Sequence, residues 1–80
     1  MAKMRVHLTF PEDLIKEPVI YNMAKKFDIV TNVRRANVEQ KVGWVLLEIE
    51  GSKEALEAGV KYARDLGVQV DLLEGDVMET

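Results

Sequence analysis

Residues 29–50 of the chain read IVTNVRRANVEQKVGWVLLEIE, and this stretch decides where the other elements belong. The β-forming apolar residues between Trp44 and Ile49 make a run too short for an ordinary buried helix, which predicts a central strand bounded by Gly43. The segment from Asp28 to Val38 also carries Val and Ile, and only Glu39 to Val42 separates it from that strand. So short a connection predicts a β-hairpin, which the rest of the chain must cover.

Apolar residues change parity along the first strand of this hairpin. Ile29 and Val33 occupy odd positions, whereas Ala36 and Val38 occupy even ones. Because one inserted residue exchanges the two faces of a strand, the pattern predicts a bulge or bend near the Arg34–Arg35 pair.

Hydrophobic periodicity places the elements outside the hairpin. Two-residue alternation predicts strands at Lys3–Phe10 and Val68–Leu73. Helical spacing of apolar residues predicts one helix from Pro18 to Lys26 and another from Ser52 to Leu66. The order strand, helix, strand, strand, helix, strand predicts an α+β, ferredoxin-like βαββαβ sandwich, with a four-stranded antiparallel sheet and two helices on one face.

The second helix is predicted in more detail. Ser52 is placed to cap its N-terminus, and Gly67 to end it in a left-handed conformation. Gly59 predicts a close approach to the sheet, since glycine inside a helix costs about 1 kcal/mol relative to alanine. The residues predicted to face the core from this helix and from the last strand are Leu56, Gly59, Val60, Ala63, Leu66, Val68, Val70 and Leu72.

Composition restricts the class of protein. The 80 residues, 48% of them hydrophobic, are enough for one small domain, predicted over residues 1–75, with residues 76–80 as a tail or the start of a linker. Without cysteine the chain can form no disulfide or thiolate metal site, and we predict neither a metal nor a cofactor. No apolar run is long enough to span a membrane and no signal peptide is recognisable, which predicts a cytoplasmic protein without membrane insertion. The net charge of −3 argues against nucleic acid as the main partner.

The residue types that enzymes need are scarce. His7 is the only histidine and has no cysteine partner, while Ser52, the only serine, is already assigned to a helix cap. Glu48 and Glu50 lie two apart on one strand face and are expected to pair with basic neighbours rather than to divide the roles of acid and base. We therefore predict that the protein is not an enzyme.

The sheet face away from the helices is predicted to be partly apolar. It would expose Trp44, Leu46 and Leu73 beside polar side chains of the first strand, and an apolar patch ringed by polar groups often marks an interaction surface. Trp44 and Leu46 are therefore candidate interface residues of a homodimer. RNA binding on this face would need aromatic residues on both middle strands, and only Trp44 is available.

Nearly all of the chain resembles the NIL domain. The resemblance is carried mainly by Phe27–Val38 and by the stretch from Gly43 through the second helix to Val68. That domain is named for an Asn-Ile-Leu triplet in its second strand, where this chain has Asn32, Val33 and Arg34.

The resemblance implies a regulatory, ligand-sensing module. NIL domains occur in the ATPase subunits of methionine importers, where they pair in a dimer and bind methionine, and they are also fused to small ferredoxins; the ferredoxin-associated branch looks the closer. By this match Asn32, Val33 and Arg34 are ligand-binding residues for methionine or a related sulfur amino acid in a homodimer, with a ferredoxin or transporter as a further partner. Arg34 replaces the usual leucine, which changes the pocket and would let this side chain meet a carboxylate or pair with Glu48. The alternative is an adaptor that binds other proteins through the open sheet face and takes no small ligand.

Overall fold

Strands and helices follow one another in the predicted order. The computed structural model describes residues 1–73 and the backbone of residues 78–79. The elements are β1 (Ala2–Pro11), a 3-10 turn (Glu12–Leu14), α1 (Val19–Phe27), β2 (Val30–Val38), β3 (Val42–Gly51), α2 (Lys53–Leu66), β4 (Gln69–Leu72) and a two-residue strand β5 (Met78–Glu79).

The four main strands form one antiparallel sheet in the order β2-β3-β1-β4, which confirms the predicted ferredoxin-like sandwich. β1 and β3 lie in the middle and pair along their whole length, from Ala2 opposite Gly51 to Pro11 opposite Val42. β5 pairs with Ala2 and Lys3 at the end of β1 that β4 does not reach. The boundary predicted at residue 75 falls within residues 74–77, outside the described residues.

The core lies between one face of the sheet and the two helices. Alternate residues of β1 and β3 point to this side, and the helices contribute apolar stripes that pack on them. The largest fully buried side chains are Leu8, Met23, Leu47, Ile49, Leu56 and Val6.

The predicted bulge is confirmed in β2. Val33 lies opposite Leu47, and the next paired residue is Arg35, opposite Leu46, so Arg34 is the extra residue. Because of this insertion, the parity of the apolar residues changes where the sequence pattern indicated.

The predicted caps of α2 are also present. The Ser52 hydroxyl accepts a hydrogen bond from the Ala55 backbone N–H at 3.0 Å. Gly67 ends the helix with φ 110°. In the α1–β2 connection the prediction was wrong: Asp28, expected to begin a strand, caps α1 in the left-handed region with φ 56°. Aspartate tolerates this conformation better than most residues do, and the strand starts later as a result.

Gly59 is a buried residue at which α2 packs closely on its neighbours, but those neighbours are not strands of the sheet. A Cβ atom on Gly59 would lie 2.6 Å from Cδ1 of Ile29 and 3.2 Å from Cγ of Met23. Met23 belongs to α1 and Ile29 directly precedes β2. The glycine therefore permits close packing of α2 on α1 and on the connection that follows it.

Three further predictions were wrong in detail. Gly43 is a buried residue inside β3 and not its boundary. Leu66 is 44% exposed, because three residues beyond the buried Ala63 the helix has turned it to the margin of the apolar stripe. Leu72, expected to face the core, is 50% exposed at the end of the edge strand β4.

Candidate ligand and interface site

The edge of the sheet formed by β2 is the most exposed regular element among the described residues. All of β2 is exposed except the half-buried Thr31, and its pairing within the described residues is with β3 alone. Val30, Val33 and Val38 are 61%, 53% and 63% exposed. An edge strand with free backbone groups and exposed valines is suited to pairing with another chain.

The predicted ligand residues lie together on this edge but do not share one face. Asn32 is opposite Glu48 and lies on the open side of the sheet, whereas Val33 is opposite Leu47 and lies on the helix side. Arg34 occupies the bulge between the paired residues. Within one chain, therefore, Asn32 and Val33 cannot line the same pocket, although both are accessible along the strand.

An apolar pocket of about 250 Å³ lies at the Val38 end of β2, between the start of α1 and the hairpin. Two exposed polar side chains, Glu17 and Tyr21, stand beside it. The pocket is smaller than most sites for drug-sized molecules, so it suits a ligand of amino-acid size. Its apolar walls include Phe10, Ile15, Pro18, Val19, Val38 and Val45.

Sequence reasoning missed this pocket. Phe10, Val19 and Val45 have the spacing of core residues, and nothing in that spacing indicates that they border a cavity. The available signal was Val38, an apolar residue just before the polar turn. Its meaning depends on β2 being an edge strand next to the start of α1.

The open sheet face is less apolar at its surface than predicted. Trp44 and Leu46 are half-buried, and the indole ring stacks on the His7 imidazole with ring centroids 5.3 Å apart. The His7 side chain covers part of the tryptophan surface that was expected to be free.

The carboxylates on this face are paired with basic residues, as predicted. Lys3 Nζ lies 3.8 Å from Glu48 and 3.5 Å from Glu50, and Arg5 Nε lies 3.8 Å from Glu48. Glu48 therefore pairs with β1 rather than with Arg34. At these separations and this exposure each pair contributes little stability, on the order of 0–1 kcal/mol.

A family model and several known proteins match this architecture. The model of the NIL domain matches residues 4–72. The chain belongs to the NIL domain family. The sequence is 33% identical over 73 residues to the methionine import ATP-binding protein MetN 2 of Listeria innocua, a match that covers 86% of this chain and 22% of that protein. It is 28% identical over 72 residues to the methionine import ATP-binding protein MetN of Coxiella burnetii, over 85% of this chain and 20% of that protein.

Solved structures support the same fold. The C-terminal domain of an ABC transporter ATP-binding protein from Enterococcus faecalis superposes with a TM-score of 0.78 at 18% identity, over 91% of this NIL domain and 86% of that chain. Prephenate dehydratase from Streptococcus mutans contains a similar arrangement, with a TM-score of 0.56 at 13% identity, over 90% of this chain and 41% of that one.

The NIL family is one of regulatory domains, and this chain spans about a fifth of the length of the curated relatives it matches. Among the described residues, neither helix has the length and apolar character needed to cross a membrane.

Proposed function

We propose that this NIL domain is a non-enzymatic sensor that forms a homodimer and binds methionine or a related sulfur amino acid beside β2. The observation that carries the proposal is the exposed edge of β2, which bears Asn32 in its first half and borders an apolar pocket at its other end. The curated relatives are methionine import ATP-binding proteins, and the match to them supports the choice of ligand.

If the β2 strands of two copies paired in an antiparallel arrangement, the two chains together would complete a site of which each chain alone carries only a part. With the bulges of the two copies side by side, Asn32 of one copy would lie beside Asn37 of the partner subunit, on the open face. On the helix side, the same pairing would place Thr31 of one copy beside Val38 of the partner subunit, which borders the apolar pocket. Each dimer would then hold two equivalent sites, as two-fold symmetry requires.

The chemistry of the pocket fits an amino acid with an apolar side chain. The side chain would fill the space beside Val19 and Val38, while the exposed Glu17 carboxylate would accept hydrogen bonds from the ammonium group. Thr31 of the other copy lies on the helix side, like the pocket, and its hydroxyl would donate to the carboxylate. Asn32 of that copy, on the open side, would hydrogen-bond Asn37 of the partner subunit and hold the two edges together. A thioether packs well in such a pocket because it is flexible and polarizable.

Such a sensor would act on a larger partner. We infer that the domain works in the cytoplasm and transmits amino-acid availability to a transporter ATPase or to a ferredoxin. The assignment to the ferredoxin-associated branch remains a prediction.

Ligand binding is tested by thermal unfolding with and without amino acids. Methionine at about a hundred times its dissociation constant is expected to add about 2.7 kcal/mol of stability, which raises the unfolding midpoint by about 10 °C or more in a domain of this size. Asn32→Ala should reduce this shift, because it removes the amide that bonds Asn37 of the partner subunit and holds the two edges of the site together. Asn22→Ala, on the exposed outer side of α1, is the matched control and should respond like the unchanged protein. A dimer that no amino acid stabilises would instead favour the adaptor function.

The interface is tested by sedimentation velocity of two lysine variants. Val33→Lys should shift the protein from dimer to monomer, since it would place an ammonium group opposite Ala36 of the partner subunit, within the paired edges and without a counter-charge. Leu72→Lys makes the same kind of change on the opposite edge of the sheet and should leave the dimer intact. If the dimer persists in Val33→Lys but is lost in Trp44→Asp, the interface lies on the open face around Trp44 and Leu46 and not at the edge of β2.

A further inference from the structure

We infer that the open face of the sheet carries a second binding site, for a small oxyanion, at a depression walled by three arginines. Arg5, Arg34 and Arg35 surround this depression together with Leu46, and its volume is about 260 Å³. It is distinct from the apolar pocket of the proposed amino-acid site, which lies on the helix side of the sheet. Nothing in amino-acid sensing requires Arg5 or Arg35.

The β-bulge assembles this site. In a regular strand two consecutive side chains point to opposite faces, and Arg34 and Arg35 would be separated by the sheet. The bulge inserts Arg34 between the paired residues and places Arg35 opposite Leu46, so that both line one depression. Bulges commonly re-aim side chains next to functional sites. Arg5 reaches the same place from β1, where it lies opposite Glu48 on the open face.

Two of the three arginines at the depression, Arg34 and Arg35, have no counter-charge among the described residues. Among residues 1–73, Arg34 and Arg35 form no ion pair or hydrogen bond with another side chain, and Glu48, the carboxylate on the adjoining row of β3, is shared between Lys3 and Arg5. Neighbouring guanidinium groups without a counter-charge repel each other and attract an anion. The nearest apolar surface, Leu46, excludes water on one side and strengthens that attraction.

The geometry of the groups selects the chemical class of the ligand. Guanidinium groups present paired N–H donors that match two oxygens of one carboxylate or phosphate. A depression of about 260 Å³ accommodates a small molecule. The site therefore suits a metabolite with an exposed carboxylate or phosphate group.

The test is a two-dimensional 1H–15N NMR titration with sodium phosphate and, separately, sodium succinate, with sodium chloride holding the ionic strength constant. Saturable shifts are expected at the backbone amides of Arg34, Arg35 and Leu46. The double variant Arg34→Gln with Arg35→Gln should weaken binding at least tenfold. The control, Lys16→Gln with Lys53→Gln, removes the same charge at two exposed positions elsewhere and should bind like the unchanged protein.

The two arms distinguish the ligands, since tighter binding of phosphate indicates a phosphorylated compound and tighter binding of succinate a carboxylate. Shifts that rise linearly without saturation, or an equal loss in the control variant, would overturn the proposal, because either shows general attraction between ions. The single variant Arg35→Gln separates this site from the amino-acid site: it should lose anion affinity while any stabilisation by methionine stays unchanged. If the protein binds the anion but methionine does not stabilise it, only the proposed amino-acid sensing is refuted.

Discussion

Leu47→Ala is expected to destabilise the domain by about 2–5 kcal/mol, the usual range for truncating a leucine in a packed core. Leu47 is 0% exposed and lies in the middle of β3, under the two helices. A chain of this size has a total stability of only about 4–12 kcal/mol. The midpoint of thermal unfolding should therefore fall by about 10 °C or more.

The neighbouring residue supplies the control. Leu46→Ala makes the same chemical change one position away, where the side chain is half-buried on the open face. It should cost about 1 kcal/mol or less, because a partly exposed leucine loses less apolar burial. Equal losses of stability in the two variants would contradict the one-sided core described for this sheet.

Gly59→Val is expected to destabilise the domain by about 1–3 kcal/mol through overpacking. A Cβ atom alone would come within 2.6 Å of Ile29 Cδ1, and valine adds two methyl groups in the same confined space against Met23. Valine favours a helix more than glycine does, but only by a few tenths of a kcal/mol, which does not offset the clash.

Chemical denaturation of Gly59→Val beside Ala58→Val measures this effect. Ala58 is the preceding residue of α2 and is half-buried rather than buried, so the same side chain should be accommodated there with a much smaller loss. If Gly59→Val were as stable as the parent, the glycine would not be needed for the close packing of α2 on α1 and on the connection that follows it.

Local pattern was enough to predict the succession of elements and the bulge. Alternation in β1 and helical spacing in α2 are imposed by burial on one side, and the parity change around Arg34 has no simpler cause than an inserted residue. Asp28 was assigned wrongly because a left-handed cap leaves no periodic signal. It depends on one backbone conformation that Asp tolerates more readily than most residues.

The candidate sites were predictable only in part. Asn32, Val33 and Arg34 came from the resemblance to NIL domains, and their division between the two faces of the sheet appears only in the pairing with β3. The apolar pocket depends on contact between residues far apart in the chain, such as Phe10 and Val38. The stacking of His7 on Trp44 likewise joins two strands across a long separation, which composition cannot indicate.

The place of β1 in the middle of the sheet has a consequence for how the chain folds. β2 and β3 are joined by a short turn, so this hairpin can form within microseconds without waiting for the rest of the molecule. β1, by contrast, must find partners at residues 42–51 and 69–72, and both contacts close long loops of chain before they contribute any stability. Insertion of β1 between β3 and β4 is therefore expected to limit the folding rate, and until it occurs the hairpin exposes two strand edges instead of one.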